Sequence, residues 1–293
     1  MKIEHAYKSA SKIIMGQDDI LKKLILAFNN NNKNGNQFHQ NILLLGRYGF
    51  GKTTLVKQAV KTLNMPLCEV NGVFSLNAVD MDQFANAINE LYETTESLDL
   101  YGVILIHEMA KCFQYDQIEA LKQVILPQNI YSVDGTAVNI SKVTFVGEID
   151  TNDFDQKYIN ENKKPIGFGN RHTNTNEEEI SQAVYEIIND YSTHRMFNTQ
   201  LKMNELKDEN VKEMLKSEIS PLKVLESNYG LIKNSIILKS DEFINEVAEK
   251  VITSENGMHD AYQIAQQLAY DKIGNYNDSK AKLGKPKTLK LFK

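Results

Sequence analysis

The apolar residues of this chain fall into two rhythms, helical spacing and short unbroken runs, and the two alternate. Between residues 18 and 28, Ile20, Leu21, Leu24, Ile25 and Phe28 recur at helical spacing and predict an amphipathic helix. The polar run NNNNKNGNQ at 29–37 then reads as a loop. NILLLG at 41–46 is a short apolar run closed by glycine, the pattern of a buried parallel strand, and TTLVKQAVKTL at 53–63 returns to helical spacing. Strands are expected again at 66–70, 101–106 and 142–147, and helices at 82–95 and 117–126. Strands alternating with helices imply an α/β fold whose parallel sheet is covered on both faces, with ligands at the carboxyl ends of the strands.

Past about residue 200 the strand pattern fades. Helical spacing is read at 178–197, 205–220, 241–254 and 259–273, with a short hairpin at 230–239. The expected organisation is a large nucleotide-binding domain over 1–199, a smaller mainly α-helical domain over 200–278, and a basic, disordered tail over 279–293. That tail carries Lys280, Lys282, Lys285, Lys287, Lys290 and Lys293.

Composition narrows the classes. The 293 residues are 42% hydrophobic and 24% charged, ordinary for a globular protein, and the formal net charge of −5 argues against non-specific nucleic-acid binding by the whole chain. Only Cys68 and Cys112 are present, which disfavours a disulfide framework or a cysteine-based zinc site. The first residues lack the basic-then-apolar pattern of a signal peptide, and no apolar run approaches the roughly 20 residues that span a bilayer. A soluble, cytoplasmic protein without membrane contact is expected.

The strongest chemical signal is Gly46-Arg47-Tyr48-Gly49-Phe50-Gly51-Lys52-Thr53, a complete G-x-x-x-x-G-K-[ST] phosphate loop between an expected strand and an expected helix. Its glycines let backbone N–H groups turn toward phosphates, Lys52 supplies a charge for the outer phosphates, and the Thr53 hydroxyl is placed to ligate Mg²⁺. Thr54 adjoins this set at the start of the helix, whose positive dipole end adds to the attraction. The implied cofactors are ATP and Mg²⁺. The third strand ends in His107-Glu108, where nucleotide-hydrolysing proteins carry an acidic pair; Glu108 is the candidate base, and His107 stands where an aspartate is expected. Neutral imidazole is a poor Mg²⁺ ligand, so hydrolysis is expected to be weakened or the metal held by Thr53 and phosphate. An ordinary strand end is the alternative reading. Arg195 is a candidate arginine finger reaching a neighbouring subunit, or else a surface residue of a helix.

From about Ile13 to Ile273 these residues resemble the AAA+ unfoldases of the Clp group, the ClpX-like type in particular. NILLLGRYGFGKTTL (41–55) resembles the family's Walker A segment, GVILIHEMAK (102–111) its Walker B segment with the aspartate changed to His107, and ISKVTFVG (140–147) its fourth core strand. Asp150 and Thr151 are the candidates for its first sensor. Ile14-Met15-Gly16-Gln17 resembles the element packing near the adenine, which implies nucleotide contacts for Met15 and Gly16. Pro165-Ile166-Gly167-Phe168-Gly169 lies where ClpX carries its peptidase-docking loop, so the resemblance implies a ClpP-like partner through Ile166, Gly167 and Phe168; a plain surface loop is the alternative. THRMFNTQLKMNELKDENVKEML (193–215) is similar to the segment holding the arginine finger, which implies that role for Arg195. A ring-forming homo-oligomer, with a hexamer as the candidate number, and a protein substrate follow by the same resemblance.

The departures point the other way. Gly257-Met258-His259 stands where the second sensor has an arginine, 74–84 shows no aromatic pore loop, and the family's zinc-binding domain is not expected with two cysteines. Two functions therefore stay open: an ATP-hydrolysing ring subunit that remodels a protein, and a catalytically weakened module using ATP as a structural switch for assembly. A DNA-associated motor is a third reading, kept only by the lysine-rich tail and opposed by the net charge.

Overall fold

The computed structural model describes residues 3–11, 13–34, 39–72, 81–114, 118–125, 130–133, 135–151, 191–217, 220–228, 240–254 and 256–282. The chain divides into two compact units, Met1–Glu205 and Leu206–Lys293.

In the first unit, helices α1 (Ile3–Ala10) and α2 (Asp18–Asn34) precede strand β1 (Ile42–Gly46), helix α3 (Lys52–Leu63) and strand β2 (Leu67–Asn71). Helix α4 (Met81–Thr95), strand β3 (Asp99–His107), and helices α5 (Met109–Gln114) and α6 (Ile118–Ile125) follow. A hairpin of β4 (Ile130–Val133) and β5 (Thr136–Asp150), helix α7 (Tyr191–Met196) and strand β6 (Thr199–Lys202) complete the unit. The parallel strands run in the order β2-β3-β5-β1-β6, and β4 pairs antiparallel with β5. This is the helix-flanked parallel sheet of an α/β phosphate-loop fold, as the alternating pattern predicts.

Burial follows the two-residue period of a strand. Ile42, Leu44, Val103, Leu105 and Val146 pack in one core with Leu24, Ile25 and Phe28 of α2 and Leu55, Val56 and Ala59 of α3. Leu43, Leu45, Ile104, Ile106 and Phe145 pack in another with Phe84, Ile88 and Leu91 of α4, Met109 and Ala110 of α5, and Phe197. Every side chain of β1 is therefore buried, which is why its sequence shows no alternation. Cys68 and Cys112 belong to the second core; burial pushes both thiols up to about 12.

One expectation is corrected, one strand runs longer than expected, and one strand was not anticipated. The asparagine-rich run at 29–34 is helical, because α2 continues through Asn34. Asn31 is fully buried with its amide satisfied inside the fold: its Nδ2 donates to Gln40 O at 2.8 Å and Thr144 Oγ1 at 2.7 Å, and its Oδ1 accepts from Gln40 N at 3.0 Å. The strand expected at 142–147 is one arm of a hairpin and extends over Thr136–Asp150. A fifth parallel strand, β6, pairs with β1 between the helices read at 178–197 and 205–220.

Among its described residues the second unit is helical: α8 (Asp208–Lys216), α9 (Pro221–Asn228), α10 (Asp241–Thr253), a 3₁₀ turn (Gly257–Asp260) and α11 (Ala261–Lys282). Ser240 caps α10 by accepting from Phe243 N at 3.2 Å, and Phe243, Val247, Val251 and Ala265 are buried. The hairpin expected at 230–239 lies outside the described residues. Among the described residues, no helix is long and apolar enough to cross a membrane.

Candidate nucleotide-binding site

The site begins where β1 stops. Gly46 ends the strand, residues 47–51 turn, and Lys52 opens α3. Two glycines in this turn adopt left-handed backbone, Gly49 at φ 76° and Gly51 at φ 85°, so the loop curls in a way that other residues resist. Gly46 is required for a different reason: a Cβ there would lie 2.8 Å from Met203 Cβ, because the chain leaving β6 runs close against β1. Gly51 has open space around the place of a missing Cβ.

Lys52 is almost fully buried. Its Nζ donates to Gly46 O and Arg47 O, each at 2.9 Å, and forms an ion pair with Asp150 Oδ1 at the end of β5. The Thr53 hydroxyl donates to Glu148 Oε2 at 2.9 Å. Arg47 lies over the Phe50 ring at 5.5 Å, while Tyr48 and Thr54 are exposed. Met15 and Gly16 are half-buried. The neighbouring Gln17 is buried and grips Asn204, accepting from its backbone N at 2.9 Å and donating to its O at 2.8 Å; Asn204 Nδ2 donates to Gly16 O at 2.9 Å.

The carboxyl end of β3 carries His107 and then Glu108, which is exposed and held at φ 55°. The Glu108 carboxylate meets Lys111 Nζ at 2.8 Å in an exposed ion pair. His107 is bound on both ring nitrogens: Nδ1 lies 2.8 Å from Glu148 Oε2, and Nε2 lies 3.1 Å from Glu69 Oε2. Lys57 Nζ approaches the same Glu69 oxygen at 2.9 Å. Ionised carboxylates only accept, so both contacts are satisfied together by a doubly protonated imidazolium. The hydrogen bond to Glu148 raises the His107 pKa above its ordinary 6.5; burial opposes this, and the charges of Glu148 and Glu69 add to it. An imidazolium has no lone pair for a metal, so in this state His107 is not a metal ligand.

The raised value fixes the sign of a pH effect. The stabilisation from this network is complete below about 6.5 and is lost as the pH rises through the higher folded-state value. In an NMR titration His107 is expected to change charge above 6.5, and Glu148→Gln is expected to bring its midpoint down. A midpoint unmoved by Glu148→Gln would remove Glu148 as the cause.

Of the residues singled out in the sequence, the structure brings Gly46, Lys52 and Thr53 to the ends of β1 and β5. Arg195 lies exposed on α7, and His259 lies exposed in the 3₁₀ turn of the second unit. Ile166, Gly167 and Phe168, and residues 74–80 of the expected pore-loop segment, lie outside the described residues. Glu148 and Glu69 were missed. Glu148 is 4% exposed, and its Oε1 is buried without a hydrogen bond from the described residues. Its sequence signal was an acid inside the apolar run VTFVGEI.

The residues fit a nucleotide with a divalent cation. A loop rich in left-handed glycine, a buried lysine and a threonine hydroxyl converge, and an uncompensated carboxylate oxygen lies beside them. Among the described residues, no group of three or more His, Cys, Asp or Glu could hold a metal alone. Mg²⁺ does not need one, since it is held by one or two protein oxygens, phosphates and water. Residues 42–156 match the family model of AAA, the ATPase family associated with various cellular activities. The match supports an ATP-binding AAA+ module, and ATP with Mg²⁺ is the cofactor set that such a module implies. No curated protein matches the chain.

Proposed function

We propose that this chain is a subunit of a ring-forming AAA+ ATPase that hydrolyses ATP to remodel a protein partner, in the manner of the ClpX-like unfoldases it resembles. The observation that carries the reading is the placement of Lys52 and Thr53 of the phosphate loop against Asp150 and Glu148 at the end of β5. Lys52 would hold the outer phosphates, and the Thr53 hydroxyl would face Mg²⁺, which neutralises phosphate charge when bound. Glu108 would orient the attacking water and accept its proton. Its contact with Lys111 is exposed, so releasing it costs about 1 kcal/mol or less. Arg195 would reach the phosphates of a neighbouring copy, Met15 and Gly16 would face the adenine, and Ile166, Gly167 and Phe168 would dock a ClpP-like peptidase.

The test is phosphate release from Mg²⁺-ATP, measured beside the mass of the assembly with and without ATP. The expected result is steady turnover that Glu108→Gln lowers by about 100-fold or more while ATP binding is kept. Turnover untouched by Glu108→Gln removes Glu108 from the base role. Assembly on ATP without phosphate release would replace hydrolysis by a structural switch.

A further inference from the structure

His107 occupies the place where an acidic residue is expected, yet the site has not lost a carboxylate. The parallel register pairs Ile106 with Gly147, so His107 on β3 and Glu148 on β5 are side-by-side neighbours. Adjacent strands lie about 4.8 Å apart, and glutamate reaches one methylene further than aspartate. Glu148 thus brings its carboxylate toward the phosphate loop from the neighbouring strand, and the Thr53 hydroxyl donates to it at 2.9 Å.

Its two oxygens are treated differently. Oε2 is fixed from two sides, by Thr53 Oγ1 and by His107 Nδ1 at 2.8 Å. Oε1 is buried and accepts no hydrogen bond from the described residues. A buried anionic oxygen without a donor is unfavourable unless a cation, or water bound to one, comes to it. Glu69, itself paired with Lys57, meets the far side of the imidazole, so His107 is held in position.

We propose that Glu148 supplies the carboxylate that orders the Mg²⁺ shell at Thr53, in place of the acid missing from the end of β3, and that His107 is the residue positioning it. This rests on the reading of the first unit as an ATP-binding module. The charge has moved one strand across the sheet, and the histidine left behind orients it. The substitution at residue 107 is thereby a rearrangement of the metal site and leaves its carboxylate count intact.

The experiment is calorimetric binding of ATP to the full chain, once with Mg²⁺ and once with EDTA. In the wild-type protein Mg²⁺ is expected to tighten ATP at least about tenfold, the scale of a single well-placed charged contact. Glu148→Gln, isosteric and still able to accept from Thr53, is expected to reduce that gain to less than about threefold, with the loss read in a weakened Mg²⁺-ATP affinity. His107→Asp in the Glu148→Gln background returns a carboxylate to β3 and is expected to restore most of the gain. If the glutamine variant does not fold, Glu148→Asp keeps the charge, shortens the reach and is expected to lower the gain. A full wild-type gain in whichever variant folds overturns the proposal. Failure of the double variant to recover overturns the exchange of roles between the two strands. Wild-type protein that binds no ATP under either condition overturns the underlying reading as well, which separates the two failures.

Discussion

Lys52→Ala protein is expected to bind ATP at least about 100-fold more weakly than wild type. Lys52 is the buried cation at the mouth of the loop, and its Nζ is already positioned by two carbonyl oxygens at 2.9 Å. Charge-assisted hydrogen bonds contribute about 1.5–3 kcal/mol each, so losing two such bonds to the phosphates exceeds the roughly 2.8 kcal/mol that corresponds to 100-fold. Thermal melting reads the result. Saturating ATP at about 100 times its dissociation constant adds about 2.7 kcal/mol to wild-type stability, and the variant should gain about 0.4 kcal/mol or less at the same concentration. An undiminished shift would mean that the backbone amides alone hold the phosphates. Lys52→Arg should not rescue binding, because a planar guanidinium does not fit the narrow space between Gly46 O, Arg47 O and Asp150.

The second large effect lies in the core. Phe197 is fully buried, and its Cζ lies close to Gly147, where an added Cβ would stand 3.2 Å away. It joins the end of α7 to the sheet, since its backbone N donates to Thr193 O at 2.8 Å and β6 begins two residues later. Phe197→Ala is expected to destabilise the protein by about 3–5 kcal/mol through lost burial and the cavity left behind. For a unit of this size the melting temperature should fall by about 6–20 °C. A fall of less than about 2 °C would mean that the helix and strand repack around the gap.

The parts of the fold that could be read from the sequence were those in which local pattern and burial agree. β1 is an unbroken apolar run because both of its faces are covered, and the glycines that follow specify the phosphate loop. The asparagine run misled because polarity stood in for exposure, whereas Asn31 is buried and satisfied by partners at Gln40 and Thr144. β6 was hidden for another reason. Its four residues carry one buried side chain, Leu201, and the strand is defined by pairing with β1, more than 150 residues earlier in the chain. The site divides along the same line. Lys52 and Thr53 belong to a contiguous motif and are legible; Glu148 acts through neighbours on another strand and on α3, so its role depends on sheet order. Arg195 and the residue set 166–168 rest on resemblance, and their partners would be other molecules.

The two buried thiols have a consequence outside nucleotide chemistry. Cys68 and Cys112 are unpaired, are the only cysteines in the chain, and are held by burial at about 12. Oxidants and alkylating reagents attack the thiolate, and at neutral pH the folded protein offers almost none. In the folded state these two sulfurs act as packing within the second core. A cysteine introduced on the surface would be the single reactive thiol of the folded molecule.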